Sequence, residues 1–283
     1  MSLLHETFKT TPMKKLAVLV LMLVSGFAFA QTKETRNVES FSKLSFRVPG
    51  KLILKQGPTQ SVVLEGDKEF LSKVETSIEG GKLTIGREDK WRWTDWSWRD
   101  DNKITAYVTM TNIEYLGVGG SGDLIGEGKF SANDLDLKVS GSGSLQIEVG
   151  AKGNLNADVS GSGDVDVKGT CQNFDSSISG SGKVNAQVSI AGKADVSVSG
   201  SGKIMASGTA NEIKARISGS GKVLAANLEV SKCNVHISGS GDVEINVKDA
   251  LDANISGSGS VSYKGNPSQL NSHASGSGHV RKM

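Results

Sequence analysis

The tetrapeptide Ser-Gly-Ser-Gly begins at residues 140, 160, 179, 199, 218, 238, 256 and 275, and a variant, Gly-Gly-Ser-Gly, begins at 119. Met once, such a stretch reads as a flexible linker, because glycine and serine leave the backbone loose and hydrated. Here it returns every 18 to 21 residues, and a near-constant period of this size marks stacked repeats. Aligned on the first serine, the preceding position holds Val118, Val139, Val159, Ile178, Val198, Ile217, Ile237, Ile255 and Ala274. The fifth position after it holds Leu124, Leu145, Val165, Val184, Ile204, Val223, Val243, Val261 and Val280. Between these apolar columns stand polar ones, such as Lys138, Asp158, Ser177, Ser197, Arg216, His236, Asn254 and His273 two places before the serine. Apolar and polar residues alternate with period two on both sides of the motif, which is the strand signal. A disordered linker has no reason to keep that alternation. Carried through the motif, it turns both glycines inward and both serines outward, as a tight bend without space for an inward side chain requires.

Geometry then selects the architecture. Twenty residues trace at most about 65 Å of extended chain, enough for one flattened coil of two or three short strands. Coils stacked about 4.8 Å apart place equivalent residues in ladders, with branched aliphatics inside and serines outside. The expected fold is an all-β parallel β-solenoid of about nine coils of 18–21 residues. An array of antiparallel hairpins would bring different columns opposite each other and would leave the matching apolar columns unexplained. One coil buries too few aliphatic side chains to offset the ordering of its backbone, so stability must come from neighbours on both sides. In this register Cys233 stands in the inward column and Cys171 stands near a turn, three coils away. Three coil spacings separate them by roughly 14 Å, beyond the roughly 7 Å that a disulfide can span. Two free thiols are expected, Cys233 as a packing residue.

The ends of the chain read differently. Lys14 and Lys15 precede the apolar run LAVLVLMLVSGFAFA, which closes on Ala28-Phe29-Ala30. A basic start, a short apolar stretch and a small-x-small terminus describe a secretory signal peptide, with an upstream extension, over residues 1–30. The run falls short of the roughly twenty residues that a spanning helix needs. Without those residues the chain carries 29 basic and 29 acidic side chains, a balance unlike the concentrated positive charge of a nucleic-acid binder. Residues 33–118 lack the motif yet still alternate, in FSKLSFRV, KLILKQG, SVVLEG, KLTIG and ITAYVTM. FRVPGKLIL at 46–54 echoes VSGSGDVDV, with Pro49-Gly50 at the bend. This part is expected to be a β-rich N-terminal cap of degenerate coils, with a Trp-rich hairpin insertion and a short helix or turn within residues 69–79. Residues 119–283 form the repeat solenoid.

Candidate sites are few. WRWTDWSW at 91–98 holds all four tryptophans; its spacing places Trp91 with Trp93, and Trp96 with Trp98, on common strand faces. Such a hairpin can pack its indoles on one another, or present an aromatic platform to sugar rings or a partner protein. Four places before each motif stand Asp136, Asn156, Asp175, Asp195, Lys214, Asn234, Asp252 and Asn271. Calcium-binding solenoids use nine-residue repeats with aspartate inside a glycine-rich turn; here the period differs and Lys214 interrupts the row. Ladder hydrogen bonding is the expectation, with no metal and no cofactor. His236 and His273 stand two coils apart, too far to share one zinc ion. Asp164, Lys183, Lys203, Lys222 and Asp242 form a mixed solvated row just past the motif. The serines have no recurring histidine beside them to act as a base, and no carboxylate pair stands out.

Phe41, Leu44 and Phe46 before KLILKQG, then SVVLEGDKEFLSKVETSIEGGKLTI, then repeated SGSG-x-V units resemble the head GIN domain family of exported bacterial proteins, labelled auto-transporter adhesins and otherwise a domain of unknown function. The resemblance runs over about residues 36 to 280 and implies a β-helical or solenoid fold in the Gram-negative envelope, with no catalytic residues to carry across. The combined expectation is an exported, non-enzymatic solenoid in the periplasm or at the cell surface. It would act as an adhesin or envelope-interaction protein on a surface glycan or an envelope protein, with no nucleic acid and no membrane span in the mature chain. The alternatives are a carbohydrate-binding module using Trp91–Trp98 and, behind it, a polysaccharide-active enzyme.

Overall fold

The structure, a computed structural model, describes residues 32–87 and 103–283. The signal-peptide expectation and the four tryptophans lie outside the described residues. What is described is a parallel β-solenoid in which each coil has two strands: one runs into the Ser-Gly corner and ends on its first glycine, and the next leaves the second glycine. The incoming strands Leu135–Gly141, Asn154–Gly161 and Asn173–Gly180 stack on one another in parallel. The outgoing strands Ser144–Ala151, Asp164–Cys171 and Lys183–Ile190 do the same. In three later coils, Lys203–Gly219, Lys222–Gly239 and Asp242–Gly257, the strand bends around the opposite corner without interruption.

The register pairs equivalent letters of consecutive coils. Val139, Val159, Ile178, Val198, Ile217, Ile237, Ile255 and Ala274 face one another in sequence. All but Ala274 are buried. The outgoing ladder repeats the pattern through Val165, Val184, Ile204, Val223 and Val243. Together they make one apolar seam between the two ladders. One inward position departs: Ser176 is buried, and its hydroxyl donates to the carbonyl of Ala157 in the preceding coil at 2.8 Å. That bond satisfies a polar group that would otherwise be costly to bury.

The corner needs both glycines for different reasons. Gly180 has φ +126°, and a Cβ there would lie 2.5 Å from the Gly161 carbonyl oxygen. Gly182 has an ordinary φ, but its Cβ would meet Val159 Cγ1 at 2.5 Å and the Gly163 oxygen at 2.4 Å. The first glycine supplies a left-handed backbone and the second lets one coil settle onto the next. The motif serines point outward and are exposed.

The N-terminal part consists of degenerate coils, but the chain lays them down out of order. Strand Lys43–Phe46 pairs in parallel with Lys82–Arg87 on one side and Tyr115–Gly120 on the other. Gly50–Gln56 lies likewise between Ile104–Met110 and Asp123–Ala132. The coil built first is thus enclosed by two built later. Its bend carries Gly50 at φ +130°, where the sequence echo placed it. The end of the stack is closed by strands of opposite direction. Val74–Glu79 pairs antiparallel with Lys82–Arg87, Ser61–Gly66 with Ile104–Met110, and Thr32–Thr35 with Ser61–Gly66. Between the two ladders at this end runs a short helix, Lys68–Leu71, which begins one residue before the segment read as helix or turn. Asp67 caps it by accepting from the Glu69 and Phe70 amides at 2.9 and 3.2 Å, and Phe70 and Leu71 are buried. Cys171 and Cys233 are both free and buried. Cys233 sits in the incoming ladder between Ile213 and Leu251, and Cys171 in the outgoing ladder opposite Ile190. Among the described residues, no helix is long and apolar enough to cross a membrane.

Candidate functional surface

Because the register is strict, every outward column becomes a straight row of side chains along the solenoid axis. On the incoming face these rows carry short hydrogen-bond chains from coil to coil. Asn156 Nδ2 donates to Asp136 at 2.5 Å, Asn173 Nδ2 to Asn154 at 3.1 Å, and Ser177 Oγ to Asp158 at 2.6 Å. Arg216 reaches Asp195 through both terminal nitrogens, at 2.5 and 3.1 Å. The Lys193 ammonium lies 3.1 Å from Glu212. Within the column four places before the motif, Asn156 to Asp136 is such a ladder bond, and Asp195 is held by Arg216 from the neighbouring column. Among the described residues, no group of three or more His, Cys, Asp or Glu side chains is arranged to hold a metal ion. His236 and His273 lie two rungs apart, separated by Asn254.

Asp175 is the odd member of its row. It faces Asn156 and Asp195 across the ladder. Partial burial, followed by the charges of Asp195 and Asp158, pushes its carboxyl above the usual carboxylate range. The outgoing face shows the opposite case. Asp242 accepts from Lys222 at 2.8 Å and from Ser260 Oγ at 2.6 Å, and those two bonds hold its carboxyl below the usual range. Ser144 donates to Asp123 at 2.6 Å and Asn185 to Asp166 at 2.8 Å on the same face. The mixed solvated row just past the motif stays partly exposed, and Lys183 pairs with Asp164 and Lys222 with Asp242 along it. Burial pushes both thiols up to about 12, helped at Cys171 by the charge of Asp175, so neither is a nucleophile at neutral pH.

Two shallow cavities, of about 280 and 230 Å³, lie end to end on the incoming face and share Glu212. Both are bordered by the column four places before the motif, already noted in the sequence, and by the column six places before it. That second column was not singled out from the sequence. It holds Asn154, Asn173, Lys193, Glu212, Lys232, Ala250 and Gln269. The same alignment contains it, but it lies beside the corner opposite the glycines, where side-chain type varies and no single letter recurs. The sequence brought the trough's residues into columns, and only stacking joined two columns into a depression. Trp91, Trp93, Trp96 and Trp98 are outside the described residues; the chain leaves the incoming ladder at Arg87 and enters the outgoing ladder at Ile104.

The family described as "putative auto-transporter adhesin, head GIN domain" matches residues 40–204 and 190–267. The chain belongs to this family. Solved structures of similar fold include one titled a putative lipid binding protein from Parabacteroides distasonis. It is 22% identical, with a TM-score of 0.67, covering 90% of this chain and 98% of that one. A putative adhesin from Parabacteroides merdae is 21% identical, with a TM-score of 0.66, covering 90% and 97%. A putative adhesin from Parabacteroides distasonis is 19% identical at a TM-score of 0.66, with the same coverage. At these identities the likeness is one of fold. No curated protein matches the chain. The head GIN domain of this chain is thus a solenoid whose polar and charged letters stand mostly on its two outer faces, while its inner letters are mostly apolar.

Proposed function

We propose that this head GIN protein is exported and acts without catalysis, through its outer faces, as an adhesin or envelope-interaction protein in the periplasm or at the cell surface. The observation that supports this reading is the arrangement of its polar side chains. They stand in parallel rows along the solenoid axis, neighbours within a row about 4.8 Å apart, held by coil-to-coil bonds such as Asn156 to Asp136 and Arg216 to Asp195. A catalytic constellation needs groups converging on one reacting atom; rows of this kind offer many equivalent weak contacts to an extended surface. The family description points the same way. The apolar stretch before Gln31 supports export.

The test combines location with binding. Fractionation of producing cells, with protease added to intact cells, is expected to find the chain processed near Ala30 and outside the cytoplasm. Purified mature chain is expected to bind envelope preparations without altering them. Recovery from the cytoplasm with an intact N-terminus, or release of new products from envelope polysaccharide, would defeat the proposal.

A further inference from the structure

We propose that the trough on the incoming face binds a linear, uncharged polysaccharide of hexopyranose units laid parallel to the solenoid axis. This rests on the reading of the chain as a surface-acting, non-enzymatic solenoid and names the ligand class of one face.

Three features of the trough select that class. Its lining repeats once per coil: the two cavities together take side chains from seven successive coils, from Asn154 to Gln269. Coils are spaced about 4.8 Å apart, and a β-1,4-linked hexopyranose chain advances by close to that distance per sugar. Because alternate sugars of such a chain are turned over, its disaccharide repeat spans close to two rungs, and every second sugar meets an equivalent rung. An extended peptide repeats only every second residue, at about 6.6 Å, and falls out of step with the rungs after one or two.

The second feature is chemical. The rungs present planar carboxylate and carboxamide groups, such as Asp175, Asp195, Asn234 and Asn271, beside lysine ammonium groups. Planar groups with two acceptors, or with an acceptor and a donor, suit pairs of neighbouring sugar hydroxyls. Ala194, Ala250 and Leu251 also border the trough, so its lining sets small apolar patches among the polar groups.

The third is charge. Lys193 is paired with Glu212, and Arg216, beside the trough, with Asp195. Lys214 stands in the first cavity with the Asp175 and Asp195 carboxylates, and Lys232 in the second with Glu212 and Asp252. With both signs mixed along its length, the trough lacks the one-signed field that a polyanion such as a nucleic acid or an acidic polysaccharide requires.

The experiment titrates the purified mature chain, by calorimetry, with uncharged β-1,4-linked gluco- and manno-oligosaccharides from the disaccharide to the octasaccharide. Alginate, a 1,4-linked polymer of uronic acids, serves as the acidic control. Affinity is expected to rise with each added sugar and to level off once the chain fills the trough. The double variant Asp175→Ala with Asn234→Ala is expected to lose about tenfold for the longer oligosaccharides, the size of one or two hydrogen bonds. Both side chains point outward, and melting temperature and far-ultraviolet dichroism check that the variant folds. The length dependence is read on the unaltered chain and needs no variant. A parallel titration with uncharged polysaccharide from the producing cells' own envelope separates a self ligand from a foreign one.

No binding to any of these polysaccharides, affinity independent of length, tighter binding of alginate, or equal binding by the double variant would each overturn the proposal. If envelope binding persists while the sugars fail, the surface reading stands and the trough assignment falls. Shortening of the oligosaccharides during titration would defeat the non-enzymatic reading, while length dependence and the variant still decide the trough.

Discussion

The N-terminal coils and the repeat coils share one core and one hydrogen-bonding scheme, yet they are stabilised in different ways. In the repeat, each coil packs against the coils just before and after it in sequence. Most core letters there are Val, Ile, Ala and Leu, with Phe130 and Phe174 as buried aromatics, and the corner is a pair of glycines. In the N-terminal part, the coil Lys43–Gln56 packs between coils that are synthesised after it. Leu44 faces Leu83 and Leu116, and Phe46 faces Ile85 and Val118, all five apolar neighbours of that core being buried with Leu44. At the far end of the strand that leaves the Gly50 bend, a side-chain amide ties neighbouring coils: Gln56 donates to the carbonyls of Thr111 and Ser131, at 3.1 and 3.0 Å, and accepts from the Ser131 amide at 2.8 Å. Repetition lets neighbours be interchangeable; a closure made once needs larger and more specific groups.

The comparison can be broken most directly at Leu44. Leu44→Ala leaves a cavity between Leu83 and Leu116 of the two flanking coils, and is expected to cost about 2–5 kcal/mol, read as the shift of a urea unfolding curve. A cost no greater than that of truncating one repeat valine would show that the closure is not special. Next comes Gly180→Ala, which forces a left-handed φ on a residue with a Cβ and aims that atom at the Gly161 carbonyl. A loss of about 1–3 kcal/mol is expected, measured the same way.

The two aspartates with opposite environments sharpen the comparison within the repeat, with smaller effects. For Asp242 the folded carboxyl titrates lower than the unfolded one. Its contribution is full above the ordinary aspartate range and is lost as pH falls through the folded value. For Asp175 the folded carboxyl titrates higher, so its charge penalises the native state above the folded value and the penalty lifts as pH falls. Asp242→Asn should therefore lower stability at neutral pH and flatten its fall in acid, and Asp175→Asn should raise neutral stability slightly. Urea midpoints measured from neutral to acidic pH test both signs. The smallest effect belongs to Ser179→Ala, an exposed motif serine one residue from Gly180, expected to change stability by no more than about 0.5 kcal/mol. A larger change in its urea midpoint would give the serine rows a structural role beyond shaping the surface.

Much of the fold was legible because strand alternation is a local property. Val159, Gly161 and Val165 announce inside, corner and inside within seven letters, and every coil repeats the announcement. The echo at Pro49-Gly50 extended that reading to an N-terminal bend, and the free thiols followed from the register. What could not be read was which strand edges meet. Lys43–Phe46 alternates identically whether it pairs with the next strand in sequence or with two strands far along the chain, because pairing partners are chosen by complementary edges and not by a strand's own letters. The same holds for the trough, since Asp175 and Asn173 become walls only when Asp195, Lys193 and Glu212 arrive beside them from later coils.

The sequence by itself determined that this chain coils with a period near twenty, which letters face the core, and where each coil must turn on glycine. Tertiary structure alone decided the order in which the first coils nest, the antiparallel closure of that end, and the depression along one outer face. The reason is physical: alternation and turn chemistry act between neighbours in the chain, whereas nesting and surface relief arise from contacts between segments that the chain keeps far apart.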